Sequence, residues 1–225
     1  MAESRSRRKR GSLSAEEIVA AALSLLDREG ESALTFARLG QELSASPTAV
    51  YRHFASRADL VVGLADHLDE LSLDDYEPSD DWRADLVDLA WRAWRTAVNH
   101  PAAAAEAMGV ITNGIHELRA VDAVLRALHQ AGLRGREAVV HYQVYTNLVL
   151  GSAQSHAMHL ARVVDGAADD AWVQIYTPRD PSQYPYAEAV KAELRLVDPE
   201  EVFGRQLDIL LSAITAGVAA APAGA

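Results

Sequence analysis

The sequence predicts an all-α fold, in which a small N-terminal helix-turn-helix unit is joined to a larger C-terminal helical bundle. Apolar residues recur every three or four positions along most of the chain, as they do on one face of a helix. Residues that favour helix starts, such as Ser14 and Ser56, stand just ahead of several of these patterns. The sequence shows neither the apolar–polar alternation of a strand nor an internal repeat.

The first predicted helix begins at a capping box, in which the Ser14 hydroxyl and the Glu17 carboxylate each accept a hydrogen bond from a free backbone N–H group. It ends at Gly30, a residue type that suits the end of a helix. Its apolar face, which we expect to pack in the core, consists of Ile18, Ala22, Leu25 and Leu26.

Residues 34–59 predict two short helices that are joined by a turn at residues 44–46. Thr35 is placed to cap the first of these helices through its hydroxyl group. The buried face of this helix is expected to carry three residues at helical spacing, namely Phe36, Leu39 and Leu43.

The second helix of the pair is predicted to start at Ser46, with Pro47 at the first helical position, where its missing N–H group costs nothing. Val50 and Phe54 then face the core. The side chains left facing outwards are Thr48, Ala49, Tyr51, Arg52 and His53. A short helix with this surface suits the major groove of DNA, but an ordinary helical hairpin with a polar surface fits the same pattern.

A family resemblance favours the DNA-binding interpretation. It is carried by Thr35, Leu39, residues 46–47, residues 50–54 and residues 57–60. These residues resemble the DNA-binding signature of the TetR/AcrR family of bacterial repressors, which would run here from about residue 14 to residue 68. The resemblance extends more loosely over the C-terminal part, and it implies a tetracycline-repressor-like fold.

Ten residues are the candidates for contact with double-stranded DNA: Thr35, Arg38, Ser46, Pro47, Thr48, Ala49, Tyr51, Arg52, His53 and Arg57. We expect Tyr51 and His53 to contact phosphates, whereas Thr48 and Ala49 are placed for base edges or a thymine methyl group. Arg52 suits either kind of contact.

A fourth helix is predicted from a second capping box, formed by Ser56 and Asp59. Arg57 adds a positive charge to the free N–H groups at the start of this helix, which suits a phosphate, and Arg38 is also expected to reach one. The apolar stripe of the helix is Leu60, Leu64, Leu68 and Leu71. In the resembled family this helix connects the DNA-binding part to the rest.

The charge of the chain is distributed unevenly. Residues 1–66 carry nine Lys or Arg and nine Asp or Glu, so residues 67–225 hold the whole net charge of −11. Because salt screens charges beyond about 10 Å, the acidic part leaves the first part free to approach DNA. Residues 1–12 form a basic arm that is predicted to be disordered alone, and it suits either DNA contact or a solubilising tail.

The predicted domains are a DNA-binding domain with its connecting helix at 13–71, an acidic linker at 72–81 and a C-terminal regulatory and dimerisation domain at 82–220, followed by a disordered tail at 221–225. The helices predicted for the C-terminal domain are 82–99, 101–109, 117–131, 136–164, 187–196 and 199–216. Apolar positions expected in its core include Leu86, Leu89, Leu118, Val124, Leu128, Val202, Phe203, Leu207 and Leu211.

A homodimer is expected because one short recognition helix reads few bases, whereas a two-fold dimer reads a palindromic operator. By resemblance, helices 136–164 and 199–216 of both subunits would form a four-helix interface. The small residues suited to it are Gly151, Ser152, Ala153, Ser212 and Ala213. Packing of these residues within one subunit is the alternative.

The resemblance also implies that the C-terminal domain binds a small organic effector. The candidate ligand-binding residues are Trp91, Trp94, Arg95, Met108, Asn113, His116, Tyr142, Tyr145, Asn147, Gln154, His156 and Trp172. An aromatic residue of this kind is by itself more often plain core, but buried polar side chains need partners, which a ligand can supply. The tetracycline-binding branch uses a His for which residues 104–108 offer no match, so tetracycline itself is not expected.

No cofactor or metal is predicted. His156 and His159 have a spacing that a metal site can use, but no carboxylate follows nearby. The absence of Cys excludes disulfides and thiol nucleophiles, and no phosphate loop, G-x-S-x-G or H-E-x-x-H motif indicates an enzyme. The basic start is no secretory signal and the last apolar stretch is too weak to span a membrane, so we expect a cytoplasmic protein.

The function expected from the sequence is that of a ligand-responsive transcriptional regulator, most simply a repressor released from its operator by the effector. The alternative is a DNA-binding protein without an effector, whose C-terminal domain binds another protein. An exposed apolar patch and a core without a cavity would favour that alternative.

Overall fold

A computed structural model of the chain describes residues 13–164, 180–194 and 196–220, and all regular elements in these ranges are helical. The predicted all-α fold class is therefore confirmed. The helices are α1 Ala15–Glu29, α2 Phe36–Glu42, α3 Pro47–Tyr51, α4 Arg57–Ser72, α5 Trp82–Asn99, α6 Pro101–Ala107, α7 Ile115–Gln130, α8 Gly135–Val164, α9 Pro185–Ala189, α10 Lys191–Leu194 and α11 Pro199–Ala220. The basic arm at 1–12, the tail at 221–225 and Trp172 lie outside the described residues.

The local signals that start the first four helices act as predicted. Ser14 and Ser56 both form complete capping boxes, and the side chains of Thr35 and Ser46 accept hydrogen bonds from the backbone of α2 and α3. Gly30 ends α1 with a φ of 75°, a conformation that glycine adopts without a steric cost. These caps fix where each helix starts without any help from distant residues.

Two apolar clusters form the core. The first holds the buried faces of α1 to α4, and the second holds those of α5, α7, α8 and α11. Helix α6 belongs to both, because Ala103 and Ala107 pack in the first cluster whereas Ala104 and Met108 pack in the second. This short Ala-rich helix therefore packs between the two parts of the molecule.

The acidic stretch at 72–81 is folded against the C-terminal part. Leu73 and Tyr76 are buried in the second cluster. The Arg92 guanidinium donates a hydrogen bond to the Asp74 carbonyl oxygen at 2.6 Å, and it lies over the Tyr76 ring. These contacts hold residues 72–81 against the C-terminal part. The assignment of this stretch as a domain boundary stays a prediction.

Four positions expected in the core or at a subunit contact lie elsewhere. Leu71 is exposed because the apolar stripe of α4 extends past Leu68, the last residue of this helix that packs in the first cluster. Leu118 is exposed because it lies about 120° around α7 from the buried Val124. Val202, one residue before the buried Phe203, is 41% exposed for the same reason.

The fourth correction concerns the small residues of α8. Ala153 is fully buried in the core of a single subunit, so it cannot line a contact between subunits. Gly151, two positions away, is exposed and has no neighbour that a Cβ atom would meet within 4 Å. The predicted helix at 187–196 is also two shorter helices, α9 and α10, which are interrupted at Val190.

Candidate nucleic-acid interface and internal cavity

Helix α3 presents the outward surface that the sequence predicted. Thr48, Tyr51, Arg52 and His53 are exposed, and Ala49 is half-buried. Val50 faces inwards and is fully buried, which fixes the rotation of the helix. Ser46 and Thr35 cap α3 and α2. The Ser46 hydroxyl accepts a hydrogen bond from the Ala49 N–H group at 3.3 Å, and the Thr35 hydroxyl accepts one from the Arg38 N–H group at 3.2 Å.

Tyr51 is held in place although its side chain is 57% exposed. Its ring packs edge-on against Phe36 of α2, with the ring centroids 4.5 Å apart and an angle of 62° between the planes. Aromatic pairs of this geometry are favourable beyond the area that they bury. The hydroxyl group is therefore carried on a fixed ring at the surface.

The Arg and His candidates fall into two pairs, of which one has partners within the chain and the other has none among the described residues. The side chains of Arg52 and His53 have no hydrogen bond or ion pair within the described parts of the chain. Arg57 instead lies 2.9 Å from a Glu106 carboxylate oxygen of α6, and Arg38 binds two carboxylates. The unpaired positive charge of this surface is thus concentrated at the C-terminal end of α3.

Arg38 is the centre of an ion-pair cluster. Its Nε donates to Glu29 at 3.1 Å and one terminal nitrogen donates to Glu42 at 3.0 Å, while Arg28 also pairs with Glu42. The hydrogen bond from Arg38 lowers the pKa of Glu29, and the same bond raises the pKa of Arg38. To contact a phosphate, Arg38 must exchange these partners.

A glycine sets the distance between α2 and the turn that follows. A Cβ atom at Gly40 would lie 2.9 Å from the Ala45 carbonyl oxygen and 3.2 Å from the Pro47 nitrogen, both of them backbone atoms. The Gly40 carbonyl oxygen also accepts from the Ala45 N–H group at 2.8 Å. Gly40 is absent from the sequence-based candidates because it contacts no ligand itself, yet it positions α3.

A cavity of about 320 Å³ lies in the C-terminal part, beneath α4. Four of the predicted ligand-binding residues line it, namely Met108, Tyr142, Tyr145 and Asn147. Ala65, Leu68, Asp69 and Ser72 of α4 form one wall. The helix that contributes Leu60 and Leu64 to the first cluster therefore also lines this cavity.

Asp69 is the most perturbed acid in this wall. Burial first, and then the nearby carboxylates of Glu117 and Asp66, raise the pKa of Asp69 to about 7. No described residue donates a hydrogen bond to its carboxylate. No pattern in the sequence indicates this role, because a single Asp on an amphipathic helix is typical of its exposed face.

Asp66, one turn earlier on α4, caps helix α7. Its Oδ1 accepts from the backbone N–H groups of His116 at 3.2 Å and Glu117 at 3.1 Å. Gly114 makes this approach possible, since a Cβ atom there would lie 2.0 Å from the same oxygen. A carboxylate at the positive end of a helix is favourable, so α4 and α7 are joined at this point.

Family comparisons match both parts of this architecture. Residues 18–64 match the model described as bacterial regulatory proteins of the tetR family, and residues 76–218 match the tetracyclin repressor-like C-terminal domain. The chain belongs to the TetR family of bacterial regulatory proteins. The predicted family is thereby confirmed, and the helix-turn-helix of this TetR-family chain is its DNA-binding element.

Individual relatives agree with this assignment. An HTH-type transcriptional regulator from Saccharopolyspora erythraea is 30% identical over 147 residues, which are 65% of this chain and 62% of that relative. This chain thus spans less than two thirds of that curated relative's length. The solved structure of a possible TetR family transcriptional regulator from Streptomyces coelicolor A3(2) is 25% identical, with a TM-score of 0.77 and coverage of 90% of this chain and 99% of that one.

A third comparison concerns the fold alone. The Streptomyces coelicolor TetR family protein ActR, solved in complex with (S)-DNPA, is 20% identical to this chain. The two superpose with a TM-score of 0.75 over 92% of this chain and 100% of that one. The described helices of this TetR-family chain contain none long and apolar enough to cross a membrane.

Other predicted ligand-binding residues form a separate aromatic cluster away from the cavity wall. Trp94 is buried, stacks on His156 with centroids 4.8 Å apart, and stacks on Phe203 at 4.5 Å. Trp91 meets the same Phe203 edge-on. The Trp94 Nε1 has no acceptor among the residues described, and burial lowers the pKa of His156.

The remaining candidates are not on the cavity wall of this TetR-family chain either. Arg95 is exposed, with an Asp88 carboxylate 3.8 Å away. Asn113 is exposed, and the His116 side chain lies 3.9 Å from Glu70. Gln154 donates to the Ala105 carbonyl oxygen at 3.2 Å. The described parts of the chain contain no group of three or more His, Asp or Glu that could hold a metal ion.

Proposed function

We propose that the protein is a ligand-responsive repressor that binds a palindromic operator as a homodimer and leaves it when a small organic effector fills the cavity. One observation carries this proposal. Helix α4 packs in the core of the DNA-binding part through Leu60 and Leu64, and it lines the cavity through Leu68 and Asp69. A ligand in the cavity would therefore touch a helix that also packs in the core of the DNA-binding part.

The DNA contacts follow from the surface of α3. Arg52 carries an unpaired positive charge, the His53 imidazole is exposed beside it, and Tyr51 holds a hydroxyl group on a fixed ring. Phosphate contacts of this kind position the helix, whereas Thr48 and Ala49 face outwards where base edges would lie. Two copies related by a two-fold axis would read half-sites whose centres are about 34–36 Å apart.

Exposed stripes on α8 and α11 support the homodimer. On α8 the exposed residues at three- and four-residue spacing include Val140, Val144, Gly151 and Met158, and on α11 they include Val202, Ile209, Ser212 and Ala213. Apolar and small side chains at this spacing form a face that another helix can pack against. A second copy of the chain would bury both stripes at once.

The cavity supports an effector, and a structural neighbour shows what such a fold can hold. ActR was solved with a bound small molecule, (S)-DNPA. To act, an effector must prefer the conformation that fits the operator poorly, since equal affinity for both conformations shifts nothing. A 100-fold loss of operator affinity needs about 2.7 kcal/mol of coupling. This role implies a cytoplasmic location at the nucleoid.

The test is DNA selection on random duplexes by the purified protein, followed by affinity measurements on the selected sequence across a salt series. We expect a palindromic motif whose log–log salt slope contains about −0.9 for each phosphate contact. Tyr51→Ala should weaken binding to selected and random duplexes alike, whereas Thr48→Ala should change the preferred bases. A folded protein that enriches no sequence at low salt would refute the proposal.

A protein partner for the C-terminal part is the second candidate. Ile111, Ile115 and Leu118 are 74%, 75% and 58% exposed and form an apolar patch beside the start of α7. The cavity favours the small-molecule effector over a protein partner, because a domain that binds only a protein needs no cavity. A selected operator whose affinity no small molecule changes would favour this alternative.

A further inference from the structure

The walls of the cavity carry only one sign of charge. We propose that the effector of this protein is an amphipathic cation, whose positive group binds the Asp69 carboxylate of α4. This inference rests on the proposed function, because it names the chemical class of the ligand that the cavity takes.

The charge of the cavity lining argues against an anionic effector. Among the residues that line the cavity, Asp69 and Glu117 are acidic, and none is Lys, Arg or His. A buried anion without a positive partner is strongly unfavourable, so a carboxylate or phosphate ligand would meet repulsion and no compensation. A cation would meet two negative groups at the same wall.

Only one of these two carboxylates lacks a partner. The Oε2 of Glu117 accepts from the Thr112 N–H group at 2.8 Å, the Thr112 hydroxyl at 3.0 Å and the Asn113 N–H group at 2.6 Å. Asp69 receives no hydrogen bond from any side chain or backbone group in the described ranges. A ligand can therefore supply the partner that the fold leaves out for Asp69.

The rest of the lining suits an amphipathic molecule with a positive end. Burial is the main reason why the pKa of Tyr142 is raised, and the charges of Glu117 and Asp69 raise it further. Tyr142 therefore lies close to both carboxylates. Its ring face is a favourable neighbour for a cation. Most of the other lining residues are apolar and include Leu68, Met108, Val124 and Val149, although the side chains of Gln143 and Asn147 also line the cavity. An organic group attached to the cation would pack there.

The position of Asp69 links this recognition to α4. The charged and titratable groups that interact with the carboxylate are Asp66 on its own helix, Glu117 on α7 and Tyr142 on α8. A bound cation offsets the repulsion among these carboxylates and favours the ionised form of Asp69. Binding should therefore tighten as the pH rises through the titration of Asp69.

The experiment uses permanently charged probes, whose own charge does not titrate. Benzyl-, naphthylmethyl- and biphenylmethyl-trimethylammonium are titrated into the intact protein by calorimetry, each beside its neutral carbon isostere with a tert-butyl group and its carboxylate counterpart. We expect the cations to bind more tightly than both analogues. Affinity for the cations should rise about tenfold between pH 6 and pH 8, as for a carboxylate that titrates near pH 7.

Two variants assign the effect to one residue. Asp69→Asn should weaken cation binding at least tenfold and abolish its pH dependence, while it leaves the neutral isosteres unaffected. Glu70→Gln removes a carboxylate from an exposed neighbouring position outside the cavity, and it should change cation affinity less than twofold.

The outcomes separate this inference from the proposed function. Failure of the whole cationic series to bind at millimolar concentration, or equal binding of the neutral isosteres, overturns the inference, and an operator found by DNA selection would then still support the repressor. Cation binding by a protein that selects no operator would refute the proposed function and leave the ligand class standing.

Discussion

Gly40 shows how one residue without a side chain controls a binding surface. The structure leaves no room for a Cβ atom between α2 and the backbone of the turn, since the Ala45 oxygen would lie 2.9 Å away. Gly40→Ala must therefore move the turn, and with it α3, although alanine favours helices.

We expect Gly40→Ala to lower the free energy of unfolding by about 1–3 kcal/mol and to weaken operator binding, as measured by urea denaturation and fluorescence anisotropy. The control is Gly204→Ala, where the new Cβ atom would meet Trp91 at an ordinary 3.6 Å. This control should be neutral or stabilise by up to about 1 kcal/mol. Equal effects of the two substitutions would contradict the role given to Gly40.

A second prediction for a single residue concerns Asp69 and the dependence of stability on pH. The pKa of Asp69 is about 7 in the folded protein, above the ordinary value of 3.8. Folding therefore favours the protonated form, and the stability of the protein falls as the pH rises from about 4 to about 7. Asp69→Asn removes this loss.

The difference in unfolding free energy between Asp69→Asn and the parent should grow by about 2–3 kcal/mol in favour of the variant between pH 5 and pH 8, since one pKa unit corresponds to about 1.4 kcal/mol. Urea denaturation at the two pH values measures it. A constant difference would show that the Asp69 carboxyl titrates normally.

Helix α4 contacts both parts of the molecule, so the proposed response to an effector would pass through it. It packs with α1, it lines the cavity, and its Asp66 caps α7. If α4 pivots when a ligand enters, the contact between Asp66 and the start of α7 must either move with it or break. The closeness of Gly114 to Asp66 allows this contact to be tested without a ligand.

We expect the effects of Asp66→Ala and Gly114→Ala on stability to be non-additive. Asp66→Ala removes the cap of α7 and should cost about 1–2 kcal/mol. Gly114→Ala should destabilise the parent, because its Cβ atom would overlap the Asp66 carboxylate, but it should be tolerated once Asp66 is Ala. Urea denaturation of the two single variants and the double variant gives the coupling, and additive effects would refute the contact.

The sequence predicts the starts and ends of helices where neighbouring residues in the chain determine them. The capping boxes at Ser14 and Ser56, the Ser46–Pro47 start of α3 and the bounds of α5 depend on neighbours in the chain, and the structure confirms them. Leu71 was misassigned, because periodicity shows that a face is apolar and does not show whether anything packs on it.

Fewer features of the DNA-binding surface and the cavity can be predicted, because many of them depend on contacts between helices. The outward face of α3 follows from helix geometry, so the exposure of Tyr51 and Arg52 could be foreseen. The Arg38–Glu29 pair, the Arg57–Glu106 pair and the effect of Glu117 on Asp69 each join residues of different helices. Sequence spacing within one helix carries no information about such partners.

At the scale of the whole molecule, the core formed by the described residues leaves apolar faces of α8 and α11 uncovered. Ile209 of α11 and Met158 of α8 are 65% and 53% exposed. Apolar side chains also remain exposed on monomers, so exposure by itself does not identify an interface. A matched pair of substitutions distinguishes the proposed interface from the apolar patch at Leu118, which is 58% exposed.

We expect Ile209→Glu to produce a monomer and Leu118→Glu to remain a dimer, as measured by sedimentation velocity. A buried, unpaired carboxylate would oppose assembly at the first position, whereas the second lies away from the α8 and α11 stripes. Because a monomer carries one recognition helix, Ile209→Glu should also lose at least tenfold in affinity for the palindromic operator and retain its weaker binding to a half-site. If Leu118→Glu dissociated the dimer and Ile209→Glu did not, the subunits would meet at the start of α7, beside the cavity, and ligand binding would then be coupled to assembly as well as to α4.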